Sequence, residues 1–256
     1  VQKQYPKLAN EQILYPADVQ DYNFRVSLTN EINYYQGSGL VKQTIEQWNE
    51  SKKSFRYINR IRFQHSEYPL YVDCSVVKTS KKQGFKLIPE YTIQEANVFQ
   101  NFEGYEIEIE LNNEEINKYT SKEDVKTNLV KIKKVIKYVL SGLQETNYPI
   151  GYREEQNVLR DYMKLIQHRF TDTRKIKPRD FIGPSSKTLH IKHIQEVSED
   201  SIVPNIRKDY TVTDKADGMR KLLYITKSGK MYFITTTMAV QFTGAVCKNK
   251  GLFESL

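Results

Sequence analysis

Tyr105-Glu106-Ile107-Glu108-Ile109-Glu110-Leu111 is the stretch on which the fold turns. Side chains of a β-strand alternate faces with a period of two, so Glu106, Glu108 and Glu110 share one face and Ile107, Ile109 and Leu111 the other. The apolar row is what a strand packed on a core supplies, so the acidic row is expected on the non-core face. Successive same-face positions lie roughly 7 Å apart. Each adjacent carboxylate pair then repels by about 2 kcal/mol at an effective dielectric near 20. On an open surface water and salt offset that repulsion; in an enclosed site cations must.

Working outward, alternation with β-branched and aromatic residues runs from Tyr22 to Leu111 and predicts antiparallel strands over Asn23 to Thr29, Ser54 to Gln64 and Leu70 to Thr79. Gly37-Ser38-Gly39 and Ser66-Glu67-Tyr68-Pro69 read as turns, the first lacking the ending of a phosphate-binding P-loop. These strands carry the cations. Arg60 and Arg62 share parity with Arg56, Arg25 shares a face with Ser27, Asp73 and Ser75 form a third polar face, and Lys78 ends that strand. Acidic and basic polar faces on one antiparallel sheet suggest closure into a barrel with a charged interior. Such an interior suits a polyphosphate gripped by Arg and Lys together with Mg²⁺ or Mn²⁺ on hard oxygen ligands. That chemistry is metal-dependent triphosphate hydrolysis, set against the plainer alternative of a solvated acidic strand.

Beyond Leu111 the period changes. Val125, Leu129, Ile132, Val135, Ile136, Val139 and Leu140 recur at three- and four-residue intervals behind Ser121 and Asp124, which predicts an amphipathic helix. A second helix is expected from about Arg153 to His168. Thr171 to Ser186, rich in Lys, Arg and Pro, reads as a boundary between a domain over 1–170 and one over 171–256. Past it, Tyr210 to Val212, Lys221 to Thr226 and Met231 to Thr235 read as strands, with Ser228-Gly229 as a hairpin turn. The fold class is α+β.

The 256 residues carry 39 Lys and Arg against 31 Asp and Glu, a net charge of +8 that attracts polyanions. Hydrophobic residues make up 39% and charged residues 27%, which excludes a membrane-spanning protein and wholesale disorder. Cys74 and Cys247 cannot build a disulfide framework, and a reducing compartment fits them. His190 and His193 stand without a further ligand nearby and read as structural. The N-terminal Val1-Gln2-Lys3-Gln4-Tyr5-Pro6 has neither an apolar signal region nor an initiator Met.

A second segment is more specific. In Thr213-Asp214-Lys215-Ala216-Asp217-Gly218-Met219-Arg220, the Lys-x-Asp-Gly-x-Arg pattern resembles the nucleophile motif of covalent nucleotidyltransferases, the mRNA guanylyltransferases and the ATP-dependent ligases. A deprotonated Lys amine can attack a nucleotide α-phosphate and form a phosphoramidate. The resemblance makes Lys215 the nucleophile and assigns Asp217, Gly218 and Arg220 to nucleotide binding. It leaves guanylyltransferase and ligase unresolved.

The upstream half separates them. A Glu-x-Glu-x-Glu strand preceding the lysine motif resembles multifunctional mRNA capping enzymes of large and giant DNA viruses, in which an RNA triphosphatase precedes a guanylyltransferase. Phe24 to Leu28, Asn59 to Phe63, Asp73 to Lys78, Tyr105 to Leu111 and Tyr210 to Arg220 are similar to segments of those proteins in the same order, and Phe181-Ile182-Gly183-Pro184 is similar to a guanylyltransferase lead-in. The resemblance implies an antiparallel β-tunnel with flanking helices, followed by the start of a covalent nucleotidyltransferase domain. It implies metal (Mg²⁺ or Mn²⁺) on Glu106, Glu108 and Glu110, and phosphate on Arg25, Arg60, Arg62 and Lys78. Asp73 and Ser75 would belong to the tunnel lining. The implied partners are 5′-triphosphate RNA and GTP, with a C-terminal methyltransferase domain or subunit as a further expectation and no membrane. A host-cytoplasmic or virion location is implied. Two positions depart from the pattern: no second Glu-x-Glu strand precedes Phe24, and Ile58 stands where the family commonly has Lys. Later guanylyltransferase motifs would lie beyond Leu256, so a fragment without capping activity of its own is expected. The rivals are an ATP-dependent ligase fragment and an inactive module that binds RNA or a partner.

Overall fold

The computed structural model describes residues 1–116, 121–167, 170–171, 174–183, 188–196, 204–207, 210–214 and 217–255. They fall into two compact units, Val1–Leu140 and Ser141–Leu256. Each combines helices with small antiparallel sheets, an α+β arrangement.

In the first unit β1 (Gln2–Gln4), β2 (Ala17–Val19), β3 (Phe24–Val26) and β4 (Asn30–Ile32) make two short ribbons, β1 with β4 and β2 with β3. The turn at Gly37-Ser38-Gly39 leads into α1 (Gly39–Glu46), a helix that the sequence analysis does not foresee. The principal sheet then forms from β5 (Arg56–Gln64) and β6 (Leu70–Thr79). A small hairpin of β7 (Lys82–Gln83) and β8 (Lys86–Leu87) follows, and β9 (Gly104–Leu111) completes the principal sheet. Its order is β5-β6-β9, with the central β6 antiparallel to both neighbours.

The expected closed cylinder is corrected here. Among the described residues no sheet closes into a barrel, and β5 and β9 stand as edges of a three-stranded sheet. Three strands cannot curl far enough to join their own edges, since closure links strand number, tilt and stagger. The expected core face is corrected too. Ile61 is 62% exposed, Phe63 56% and Ile107 42%, whereas Asp73 and Ser75 on the polar face are buried. Long Arg and Glu side chains from the edge strands fold over the short side chains of β6, so the charged face shelters its own centre.

After α2 (Asn113–Ile116) comes α3 (Lys122–Gln144), the helix foreseen from its apolar spacing. The Asp124 amide donates to Ser121 Oγ at 3.1 Å and the Ser121 amide donates to Asp124 Oδ2 at 3.1 Å. This reciprocal pair satisfies two amides at the helix start.

The second unit packs α4 (Tyr152–Ile166) against β10 (Lys221–Ile225), β11 (Lys230–Thr235) and β12 (Val240–Val246). Val158, Leu159, Tyr162 and Met163 meet Tyr224, Tyr232, Ile234 and Val240 in its core. Composition placed α4 on the other side of a boundary at 171; its apolar stripe belongs to this core. Tyr162 hydroxyl donates to the Asp180 carbonyl at 2.7 Å and accepts from the Ile182 amide at 3.1 Å. Tyr210 to Val212 is irregular chain instead of a strand, and β12 is a strand that sequence reading missed. Among the described residues no helix is long and apolar enough to cross a membrane.

Candidate functional site

The register of the principal sheet sets Arg60 beside Ser75 and Ser75 beside Glu106, and sets Arg62 beside Asp73 and Asp73 beside Glu108. β5 and β9 are two strand spacings apart, about 9.6 Å, a gap that an Arg side chain spans only if the intervening residue is short. Ser75 and Asp73 are short. Arg60 therefore crosses β6, donating from Nε to Ser75 Oγ at 3.1 Å, from Nη1 to Asp73 Oδ2 at 2.8 Å and from Nη2 to Glu108. Arg62 donates to both oxygens of Asp73 at 2.7 and 2.6 Å and from Nη2 to Glu110 at 2.8 Å. Its guanidinium lies 4.4 Å from the Tyr71 ring centroid. Arg56 pairs with Glu106.

Three arginines and four carboxylates thus share one face, with one negative charge in excess. The Arg62 hydrogen bonds, helped by Arg60, hold the Asp73 carboxyl below its ordinary value, outweighing its desolvation. Asp73 is closed to water by its arginines more than by depth in a core. Asp73, Glu108 and Glu110 each offer a carboxylate oxygen within 4.8 Å of the others. Hard oxygens in that number suit Mg²⁺ or Mn²⁺. Glu106 lies outside this trio, tied to Arg56.

Two expected phosphate ligands stand elsewhere. Arg25 belongs to the β2–β3 ribbon, where it donates to Asp18 Oδ1 at 2.6 Å and Oδ2 at 3.1 Å. Lys78 has the opposite parity to Asp73 and Ser75, and it donates to the Phe99 carbonyl at 2.9 Å. Sequence reasoning gave no role to Tyr71, although its shared parity with Asp73 was a signal that it faces the same groups.

In the second unit, Lys215 lies outside the described residues. Asp217 and Gly218 lie in irregular chain before β10. Arg220 sits over the Phe181 ring, 5.5 Å from its centroid, and lines a cavity of about 510 Å³. Its walls include Glu155, Lys221, Thr235, Thr237 and Gln241. Lys221 Nζ donates to Gln241 Oε1 at 2.6 Å, which fixes one wall.

With this geometry in view, comparison with known proteins finds 28% identity over 137 residues with a probable mRNA-capping enzyme of Acanthamoeba polyphaga mimivirus. The match covers 54% of this chain and 9% of that protein. It supports a capping-enzyme relationship. No family model matches the chain, and no solved structure matches it.

Proposed function

We propose that the chain is part of an mRNA capping enzyme that removes the RNA 5′-γ-phosphate and transfers GMP from GTP. The observation that carries the first step is the cross-strand lattice in which Arg60 and Arg62 reach over Asp73 to Glu108 and Glu110. Asp73, Glu108 and Glu110 are the residues to hold Mg²⁺ or Mn²⁺, and the donor set fits a hard cation. The chemistry a cation held by these residues would supply is neutralisation of charge developing on the phosphoryl group. Arg60 and Arg62 exchange carboxylate partners for phosphate oxygens, which take the same forked hydrogen bonds. A remaining carboxylate orients the attacking water.

For the second step, the neutral Lys215 amine attacks the GTP α-phosphorus. A P–N bond forms, the bond to the bridging oxygen breaks, and pyrophosphate leaves with that electron pair. The 5′-diphosphate RNA end then displaces Lys215. Arg220 and Asp217 hold the nucleotide. The similarity to a capping enzyme supports this reading over ligation.

Incubation of the chain, extended by its parent flanks, with α-labelled GTP and Mg²⁺ tests the second step. A covalent label is expected on the native protein and none on Lys215→Ala; an adduct from ATP in place of GTP makes it a ligase. For the first step, phosphate release from γ-labelled 5′-triphosphate RNA is expected to fall at least a hundredfold in Glu108→Gln. A second reading draws on the same lattice: each of its carboxylates already has an arginine partner, so the lattice can be structural in a module that only binds RNA. That reading requires salt-sensitive RNA binding with no phosphate release, unaltered by Glu106→Ala and Glu108→Ala together.

A further inference from the structure

Glu154 and Glu155 are neighbours in the first turn of α4, yet their surroundings differ. Glu154 Oε1 accepts from Lys230 Nζ at 2.7 Å and from the Tyr232 hydroxyl at 2.6 Å. Burial pushes its carboxyl up, but these two donors bring it below the ordinary range. Glu155 is half-buried, and among the described residues its side chain has neither a hydrogen-bond donor nor a cation. Burial alone acts on it, pushing its carboxyl up. A carboxylate withdrawn from water without donors is costly unless a ligand supplies them. The helix start favours its charge but gives it no side-chain donor.

What Glu155 faces is informative. It lines the cavity of about 510 Å³ that also receives Arg220 from the nucleotidyltransferase-like motif. Gln144 and Gln241 share the wall, and both are engaged: Gln144 with the Ile150 backbone at 2.9 Å through both of its ends, Gln241 with Lys221. Glu145, the other carboxylate there, is exposed. Among the described residues Glu155 is therefore a half-buried carboxylate without a protein donor, in a cavity with cationic Arg220 and Lys221 on its walls. An acceptor with two lone-pair-bearing oxygens matches two adjacent donors, while the cations match phosphate.

We infer that this cavity seats the nucleoside of the nucleotide and that Glu155 recognises a pair of adjacent donors on it, the N1–H and N2–H edge of guanine or the ribose 2′,3′-diol. The inference rests on the guanylyl-transfer reading and adds to it a recognition residue outside the lysine motif.

The test is isothermal titration of the 256-residue chain with GTP, ITP, 2′,3′-dideoxy-GTP and ATP in Mg²⁺, for the native protein, Glu155→Gln and Glu155→Asp. GTP affinity is expected to drop about tenfold or more in Glu155→Gln, the loss of a charge-assisted pair. Glu155→Asp, with the carboxylate retracted by one methylene, should fall between. If guanine is the donor, native protein discriminates against ITP and ATP and Glu155→Gln does not. If the ribose is the donor, dideoxy-GTP binds poorly and ATP matches GTP. GTP binding that is equal in all three proteins overturns the role of Glu155 while leaving the guanylyl-transfer reading standing. No nucleotide bound by the native chain overturns the inference and removes the support that this cavity lends to that reading. Unaltered far-ultraviolet circular dichroism of both variants excludes misfolding as the cause of a loss.

Discussion

Asp73 is the residue on which the principal sheet balances. It accepts three hydrogen bonds from two guanidinium groups: Arg62 Nε on Oδ1, Arg62 Nη2 on Oδ2, and Arg60 Nη1 on Oδ2. Removing its charge leaves Arg60 and Arg62 short of an acceptor. Both are partly exposed and can turn to water, so Asp73→Asn is expected to cost about 1–3 kcal/mol, below the value for a deeply enclosed pair. A carboxyl held below its ordinary value of 3.8 adds stability that is present above that value and lost as pH falls through its lowered folded-state pKa. Urea denaturation of the native protein and Asp73→Asn should therefore show a gap at about pH 6 that narrows by about pH 3. A gap independent of pH would mean that packing, not charge, holds Asp73.

Elements were legible where one force dominates. β6 has the limits that its alternation foretold, and α3 begins at the Ser121–Asp124 pair because local hydrogen bonds decide helix starts. β12 was missed because Gly244, at φ +79°, interrupts its pattern, and Tyr210 to Val212 was over-read because three apolar and polar residues in alternation carry little information. The β10–β11 hairpin turns at Gly229, at φ +80°, where an added Cβ would stand 2.4 Å from the Cys247 carbonyl oxygen. Both the positive φ and the close approach exclude a side chain. Gly229→Ala should destabilise the chain by about 1–3 kcal/mol, read as a lowered urea midpoint; an unchanged midpoint would mean the turn relaxes freely.

At the scale of the whole molecule, a net charge of +8 draws polyanions, but the sheet uses few of those charges. For single-stranded RNA each phosphate neutralised contributes about 0.7 to the salt dependence of log Kd. Contacts from Arg56, Arg60 and Arg62 thus account for a slope of about 2. Replacing all three with Gln should lower the measured slope for 5′-triphosphate RNA by about that amount; an unchanged slope would place the RNA elsewhere on the chain. The sequence by itself determined which residues share a face of β5, β6 and β9, because a two-residue period is a property of the extended backbone and of nothing else. It also carries the Lys-x-Asp-Gly-x-Arg pattern on which the guanylyl-transfer proposal stands. Only the tertiary structure decided that Arg60 and Arg62 lean one step along the sheet to Glu108 and Glu110, that Arg25 keeps to Asp18, and that Asp73 joins the acidic trio in place of Glu106. Those outcomes depend on strand register and side-chain reach across neighbouring strands, which are set by long-range pairing that parity does not encode.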